Sequence, residues 1–210
     1  MPGPDAIVAT LSETTRQFFV LAVGWHVFVA LGLVAVVFFG LSPSRRAATA
    51  LMSLPLVSVS ILAWIMASPF NGAVFALLAL VALVIATRCP AIPLPCPEPW
   101  ARVAGSLLVC FAWVYPHFLD GYAPVAYLFA APMGLIPCPS LALVLGLTIL
   151  GGGFAGIRWT VVLAVAATFY ALFGALVLGV ALDWILLAGA IALVAQQFRP
   201  RRTPSVASPG

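Results

Sequence analysis

The strongest constraint on this chain is a succession of apolar runs, charged only near their ends and separated by short breaks of proline, glycine, serine and arginine. A bilayer core is about 30 Å thick and a helix rises about 1.5 Å per residue, so roughly 20 apolar residues make one crossing. Seven runs meet or approach that length, over about 18–40, 47–67, 73–87, 101–119, 133–150, 157–180 and 182–198. The breaks include Ser42-Pro43-Ser44-Arg45-Arg46, the turn Ser68-Pro69-Phe70-Asn71-Gly72, a proline-rich loop before Trp100, Asp120-Gly121-Tyr122 and Gly151-Gly152-Gly153. Composition agrees: 7% of the residues are charged, against about 25% in a soluble domain. A soluble enzyme, a nucleic-acid reader and a disordered chain are excluded. The expected fold is all-α, a polytopic transmembrane bundle of seven spans. Residues 1–17 form a polar outer segment, 18–198 the membrane domain, and 199–210 a flexible cytoplasmic tail.

Charge orients the bundle. All nine basic residues are arginine, which with the abundance of alanine suggests a high-GC bacterial genome. With the N-terminus outside, Arg45, Arg46, Arg88, Arg102, Arg158, Arg199, Arg201 and Arg202 fall on the cytoplasmic side. Arg16 alone falls outside, with Asp5, Glu13, Asp120 and Asp183. That bias follows the positive-inside rule and requires an odd number of crossings. The expected orientation is therefore N-out and C-in, multi-pass, in a bacterial inner membrane. The first run lacks a basic flank and a small-residue cleavage site, so it reads as an anchor rather than a signal peptide. Trp25, Trp64, Trp100, Trp159 and Trp184 fall near span ends and read as an aromatic belt.

Chemistry must come from few residues. Cys89 and Cys96 flank Pro-Ala-Ile-Pro-Leu-Pro, a stiff spacer whose six intervening residues exceed the C-x₂₋₄-C spacing of zinc sites. Cys110, mid-span, reads as a small apolar packer. Cys138 differs. It lies in Ile136-Pro137-Cys138-Pro139-Ser140, inside the proline-broken fifth crossing. Pro139 suits the first helical position, which makes Cys138 a candidate N-cap. Residues 124–137 would then form a half-helix or re-entrant segment, tolerated only inside protein or along a wet cavity. A helix start facing that cavity suits an anion, a thiolate or a soft metal. His26 is an ionisable group well inside a span and so a functional candidate, or else an interhelical hydrogen-bond partner. His117 and Tyr115 lie near the outer end of the fourth run, where His117 also reads as an interface anchor.

The element Pro132-Met133-Gly134-Leu135-Ile136-Pro137-Cys138-Pro139-Ser140 resembles one in a family of uncharacterised bacterial multi-pass membrane proteins. That family carries Phe-Gly-x-Pro-Cys-Pro-Thr at the start of a late helix, shortly after a Tyr-Pro pair; Tyr115-Pro116 stands in that place here. Pro69-Phe70-Asn71-Gly72-Ala73 is similar to its Pro-Ile-Asn-x-Ala, and Trp25 matches a tryptophan of its first helix. The chain departs by lacking the histidine of Gly-His-x-Tyr-Pro at Asp120-Gly121-Tyr122-Ala123-Pro124, by one extra residue before Pro137, and by Ser140 for threonine. The resemblance implies membrane location and draws attention to Cys138; it implies no mechanism.

The binding candidates are Cys138, Ser140, His26, His117, Tyr115 and Asn71, and a soft metal would draw on Cys138, His26 and Met133. No catalytic residue and no cofactor is assigned. The best functional reading is a facilitator for a small solute or ion with a cavity near Cys138. The alternatives are a membrane thiol or redox enzyme using Cys138, and a non-catalytic subunit of a membrane complex. The expected partners are the lipid bilayer, a small solute, anion or soft metal, and another copy or membrane protein, but no nucleic acid. With Asp183 read as an outer charge at the edge of the last run and no acid placed deeper in a span, an ion-coupled pump is disfavoured.

Overall fold

The computed structural model describes residues 3–119 and 121–198, and these fold as helices with short connections. Asp120, Arg199, Arg201, Arg202 and the predicted tail lie outside the described residues. The helices are α1 (Pro4–Gln17), α2 (Phe19–Val37), α3 (Arg45–Ile65), α4 (Pro69–Arg88), α5 (Pro99–Val114), α6 (Tyr127–Ala130), α7 (Pro137–Leu150), α8 (Gly156–Leu172) and α9 (Trp184–Phe198). Five stretches are long and apolar enough to cross a membrane: α2, α3, α4, α8 with its extension to Val177, and Ala181–Phe198. The predicted fourth and fifth runs form shorter apolar helices, α5 and α7.

Sequence chemistry explains most of the boundaries. Ser44 caps α3, its hydroxyl accepting from the Ala47 amide at 3.2 Å, and Pro69 and Pro99 open α4 and α5, where a missing N–H costs nothing. The expected fourth run extends to 119, but α5 stops at Val114. Pro116 is the reason: the residue before a proline is pushed out of helical geometry, and Tyr115 takes ψ 97°. The N-terminal segment, read only as polar, is a helix whose Thr14 and Thr15 are buried.

The bundle is arranged around α7. Eleven of its 14 residues are buried, and α3, α5, α8 and α9 pack against it. At about 21 Å it is shorter than a bilayer core, but it is surrounded by protein. A helix apolar on every side belongs in such a position. Its crossing with α5 is backbone against backbone. A Cβ on Gly105 would lie 2.8 Å from the Gly146 carbonyl oxygen, and one on Gly146 would lie 2.8 Å from that of Gly105. α2 is the opposite case, with only 17% of its apolar stretch buried.

The two ends of the bundle differ in chemistry. At one end Arg46 donates from Nε to the Cys89 carbonyl (3.1 Å), and Gln196 and Gln197 of α9 bond Ile149 and Thr160. Arg45, Arg88, Arg102 and Arg158 sit at the helix ends that meet there. Two tryptophan and cysteine expectations change. Trp159 is fully buried, its Nε1 donating to the Thr148 hydroxyl (3.2 Å), so it belongs to the core and not to a belt. Cys110 faces outward, because its position on α5 is opposite the Gly105 seam.

Since the Gly105–Gly146 contact leaves no room for a methyl group, Gly146→Ala is expected to cost about 1–3 kcal/mol. Gly24→Ala, whose added carbon meets nothing within 4 Å, should leave Tm in detergent unchanged. Equal Tm values for the two variants would contradict the close crossing.

Candidate functional site

The end of the bundle away from the arginines holds a buried polar constellation, and each member is placed by a local feature of the sequence. Tyr115 is delivered by the Pro116 stop and is fully buried. Cys138 sits in the first turn of α7, and here the expectation is corrected: the N-cap is Ile136, not Cys138, and Pro137 occupies the first helical position. Pro137 forces Ile136 into extended geometry (φ −124°, ψ 162°), which is cap geometry. Pro139 then falls at the third position, where an amide hydrogen would have no helical partner anyway.

Ser140 fixes the entry to α7. Its hydroxyl donates to the Ile136 carbonyl at 2.6 Å and accepts from the Gly134 amide at 2.9 Å. Gly134 has φ +78°, and a Cβ there would lie 2.5 Å from the Trp25 ring. Only glycine meets both demands. Residues 124–137, expected as a half-helix or re-entrant segment, form one short 3₁₀ turn, the four-residue α6 and a tight turn, with Pro137 already in α7. α6 is tied to α5 by the Trp113 indole, which donates to the Leu128 carbonyl at 2.8 Å.

Asp183 completes the site. Placed in sequence among the outer loop charges, it is instead 1% exposed. α8 ends in a wide π turn, Phe173–Val177, and a 3₁₀ turn, Ala181–Asp183, precedes α9. The Val180 amide donates to the Gly174 carbonyl (2.8 Å), which folds the two turns against each other. Gly174 makes the space: a Cβ there would collide with Asp183 Oδ2. The Asp183 carboxylate accepts from the Tyr115 hydroxyl at Oδ1 (2.8 Å) and from the Cys138 thiol at Oδ2 (3.0 Å). The His117 ring packs against that of Phe118, with centroids 4.2 Å apart. A second pair, the Tyr170 hydroxyl donating to Asn71 Oδ1 (2.8 Å), lines the same cavity.

That cavity has a volume of about 30 Å³, enough for one water-sized group. Cys138, Asp183, Tyr170 and Asn71 supply its polar wall, and Ile7 and Leu11 of α1 close it from the N-terminal side. Of the sequence candidates, Cys138 and Asn71 line the cavity and Tyr115 is joined to Cys138 through Asp183, while Ser140 holds the entry to α7 and His117 packs on Phe118. His26 is not among them. Its Nδ1 and Nε2 each lie 2.9 Å from a backbone carbonyl, of Ala22 and Trp113, so it ties α2 to α5. Met133 is fully buried and does not line the cavity. Among the described residues no three of His, Cys, Asp and Glu are grouped to hold a metal ion. Asp183 and Tyr170 escape sequence reasoning; the available signal was an acid at the second position of the last apolar run.

The Asp183 carboxyl group thus stands at the start of α7, against the Cys138 thiol. No family model, curated protein or solved structure matches the chain. The class the fold defines is an all-helical protein whose apolar helices are compatible with an integral membrane protein.

Asp183→Leu should leave the Tyr115 hydroxyl and the Cys138 thiol unpaired, at about 1–3 kcal/mol for the hydroxyl and less for the weaker thiol donor. Asp183→Asn, which keeps one acceptor, should lose less. Thermal unfolding of the purified protein ranks the two; equal losses would contradict the shared carboxylate.

Proposed function

We propose that this chain is a seven-span protein of a bacterial inner membrane, N-terminus outside, that facilitates passage of a small solute or ion. The observation that carries the reading is the Asp183 carboxylate, buried between the Cys138 thiol and the Tyr115 hydroxyl at the edge of a cavity. Polar groups are costly inside an apolar bundle and mark functional positions there. Both donors to Asp183 are single hydroxyl or thiol groups that rotate, so a solute can replace one of them without leaving the carboxylate unsatisfied.

The topology is supported by the positive-inside pattern, by the five long helices, and by α5 and α7 at the remaining two places. In this reading the arginine end faces the cytoplasm and the Cys138 cavity faces outward, under α1. The family resemblance around Pro137-Cys138-Pro139 falls on the same site. Asp183 also removes the main argument against ion coupling, since a carboxylate is now part of the helical interior. A membrane thiol enzyme is the second reading, favoured by the same Cys138–Asp183 contact, which sets a proton acceptor beside the thiol.

Proteoliposomes loaded with reporter dye or sugar test the first reading, with thallous ion and glycerol as probes. At least one should cross faster than in protein-free vesicles, and Cys138→Ser and Asp183→Asn should each slow it. Rates equal to those of empty vesicles for both probes, or rates untouched by both substitutions, would overturn it.

A further inference from the structure

The helices around the Cys138 cavity are tied to one another by side-chain hydrogen bonds, with one exception. Asp183, at the start of α9, accepts from Tyr115 and from Cys138 of α7, and Tyr170 of α8 donates to Asn71 of α4. α1 has no such tie. Its threonine hydroxyls bond its own backbone: Thr10 to the Ala6 carbonyl, Thr14 to that of Thr10, and Thr15 to that of Leu11. Among the described residues no side chain of α1 makes a hydrogen bond or an ion pair to another element. Apolar contact alone holds it in place, through Ile7 and Leu11 at the cavity and Val8 beside them.

The pattern of α1 gives it two resting places. Ile7, Val8, Leu11, Thr14 and Thr15 recur at helical spacing and are all at least partly buried, whereas Asp5, Glu13 and Arg16 are exposed. Such a helix lies stably against the bundle or in the headgroup boundary beside it. The pivot is also present. Phe18 alone separates α1 from α2, with a non-helical ψ of 29°. Immediately beyond it Phe19 pins the start of α2, stacked on Tyr122 with centroids 4.9 Å apart and edge-on to Phe129 at 6.4 Å. Rotation at Phe18 therefore carries α1 without α2, as a hinge at the end of an element does. The cavity beneath α1 has room for one water-sized group, so anything larger reaches it only when a wall moves. α1 is the wall whose departure leaves no hydrogen-bonding side chain without its partner.

We propose that α1 is a lid, hinged at Phe18, that swings off the Cys138–Asp183 cavity to admit a ligand. The inference rests on the reading of that cavity as the functional site, but the motion is read on the Cys138 thiol and needs no transported solute. Ile7, Val8 and Leu11 are each only partly buried, so few contacts are lost on opening and the open state is a minor member of the resting ensemble.

The test follows alkylation of each cysteine in the purified full chain in mild detergent, by peptide-resolved mass measurement. The reagent is fluorescein maleimide, many times larger than the cavity, so that displacement of α1 admits it and the trimming of one side chain does not. In the unaltered chain Cys138 should react, more slowly than the exposed Cys96. Leu11→Ser should speed the reaction of Cys138 about tenfold, the worth of a partly buried leucine. Glu13→Gln, on the outer face, should leave it unchanged. Cys89, buried at the other end of the bundle, reports opening of the whole molecule and should keep one rate in all three proteins. A Cys138 that the maleimide reaches in neither the unaltered chain nor Leu11→Ser would overturn the lid and leave a fixed plug. Equal Cys138 rates in those two proteins would overturn it as well, as would a Cys89 rate that rises in step with that of Cys138. Passage is decided separately by the proteoliposome rates, so a fixed α1 and a failure of transport are distinct results.

Discussion

The carboxylate of Asp183 is the contact on which one end of this bundle depends. It joins the end of α5, the start of α7 and the start of α9 through two hydrogen bonds, from Tyr115 and from Cys138. No backbone ladder connects these helix ends, and the surrounding side chains are mostly apolar. Removing the acceptor leaves two buried donors without their partner, whereas removing a leucine leaves only a gap. The turns that deliver Asp183, a π turn at Gly174 and a 3₁₀ turn before α9, have no other evident task.

The rest of the architecture allows that contact. α7 is held by four neighbouring helices, with glycines letting α5 approach to backbone distance. Its first turn therefore has a fixed position, set further by Ser140 bridging Gly134 and Ile136. A thiol on such a rigid turn meets a carboxylate at a defined distance. α1 then lies across the cavity, contributing Ile7 and Leu11, four residues apart on one helix face.

Helix positions were legible in the sequence because apolar runs and proline breaks act locally. α3, α4 and α8 begin within four residues of expectation, and α5 ends early for a reason also written in the sequence, Pro116. The start of α7 was misplaced by two residues because Pro137 and Pro139 both satisfy the local rule, and only packing of the turn at Gly134 selects one. Cys138, Tyr115 and Asn71 were found as polar groups in an apolar chain. Asp183 was not, since an acid at the edge of an apolar run looks the same whether it faces water or folds inward. That choice is made by Gly174, nine residues earlier, and by two turns of unusual winding, none of which leaves a periodic signal. Tyr170 was hidden for a related reason: its hydroxyl matters only because Asn71 of α4 stands opposite.

The Cys138 thiol donates to the Asp183 carboxylate, and the infrared S–H stretch reads that contact directly. A hydrogen-bonded S–H band is expected that disappears in Cys138→Ser and moves towards the free-thiol position in Asp183→Leu. A Cys138 band at the free-thiol position in the unaltered protein, or one that Asp183→Leu leaves in place, would contradict it.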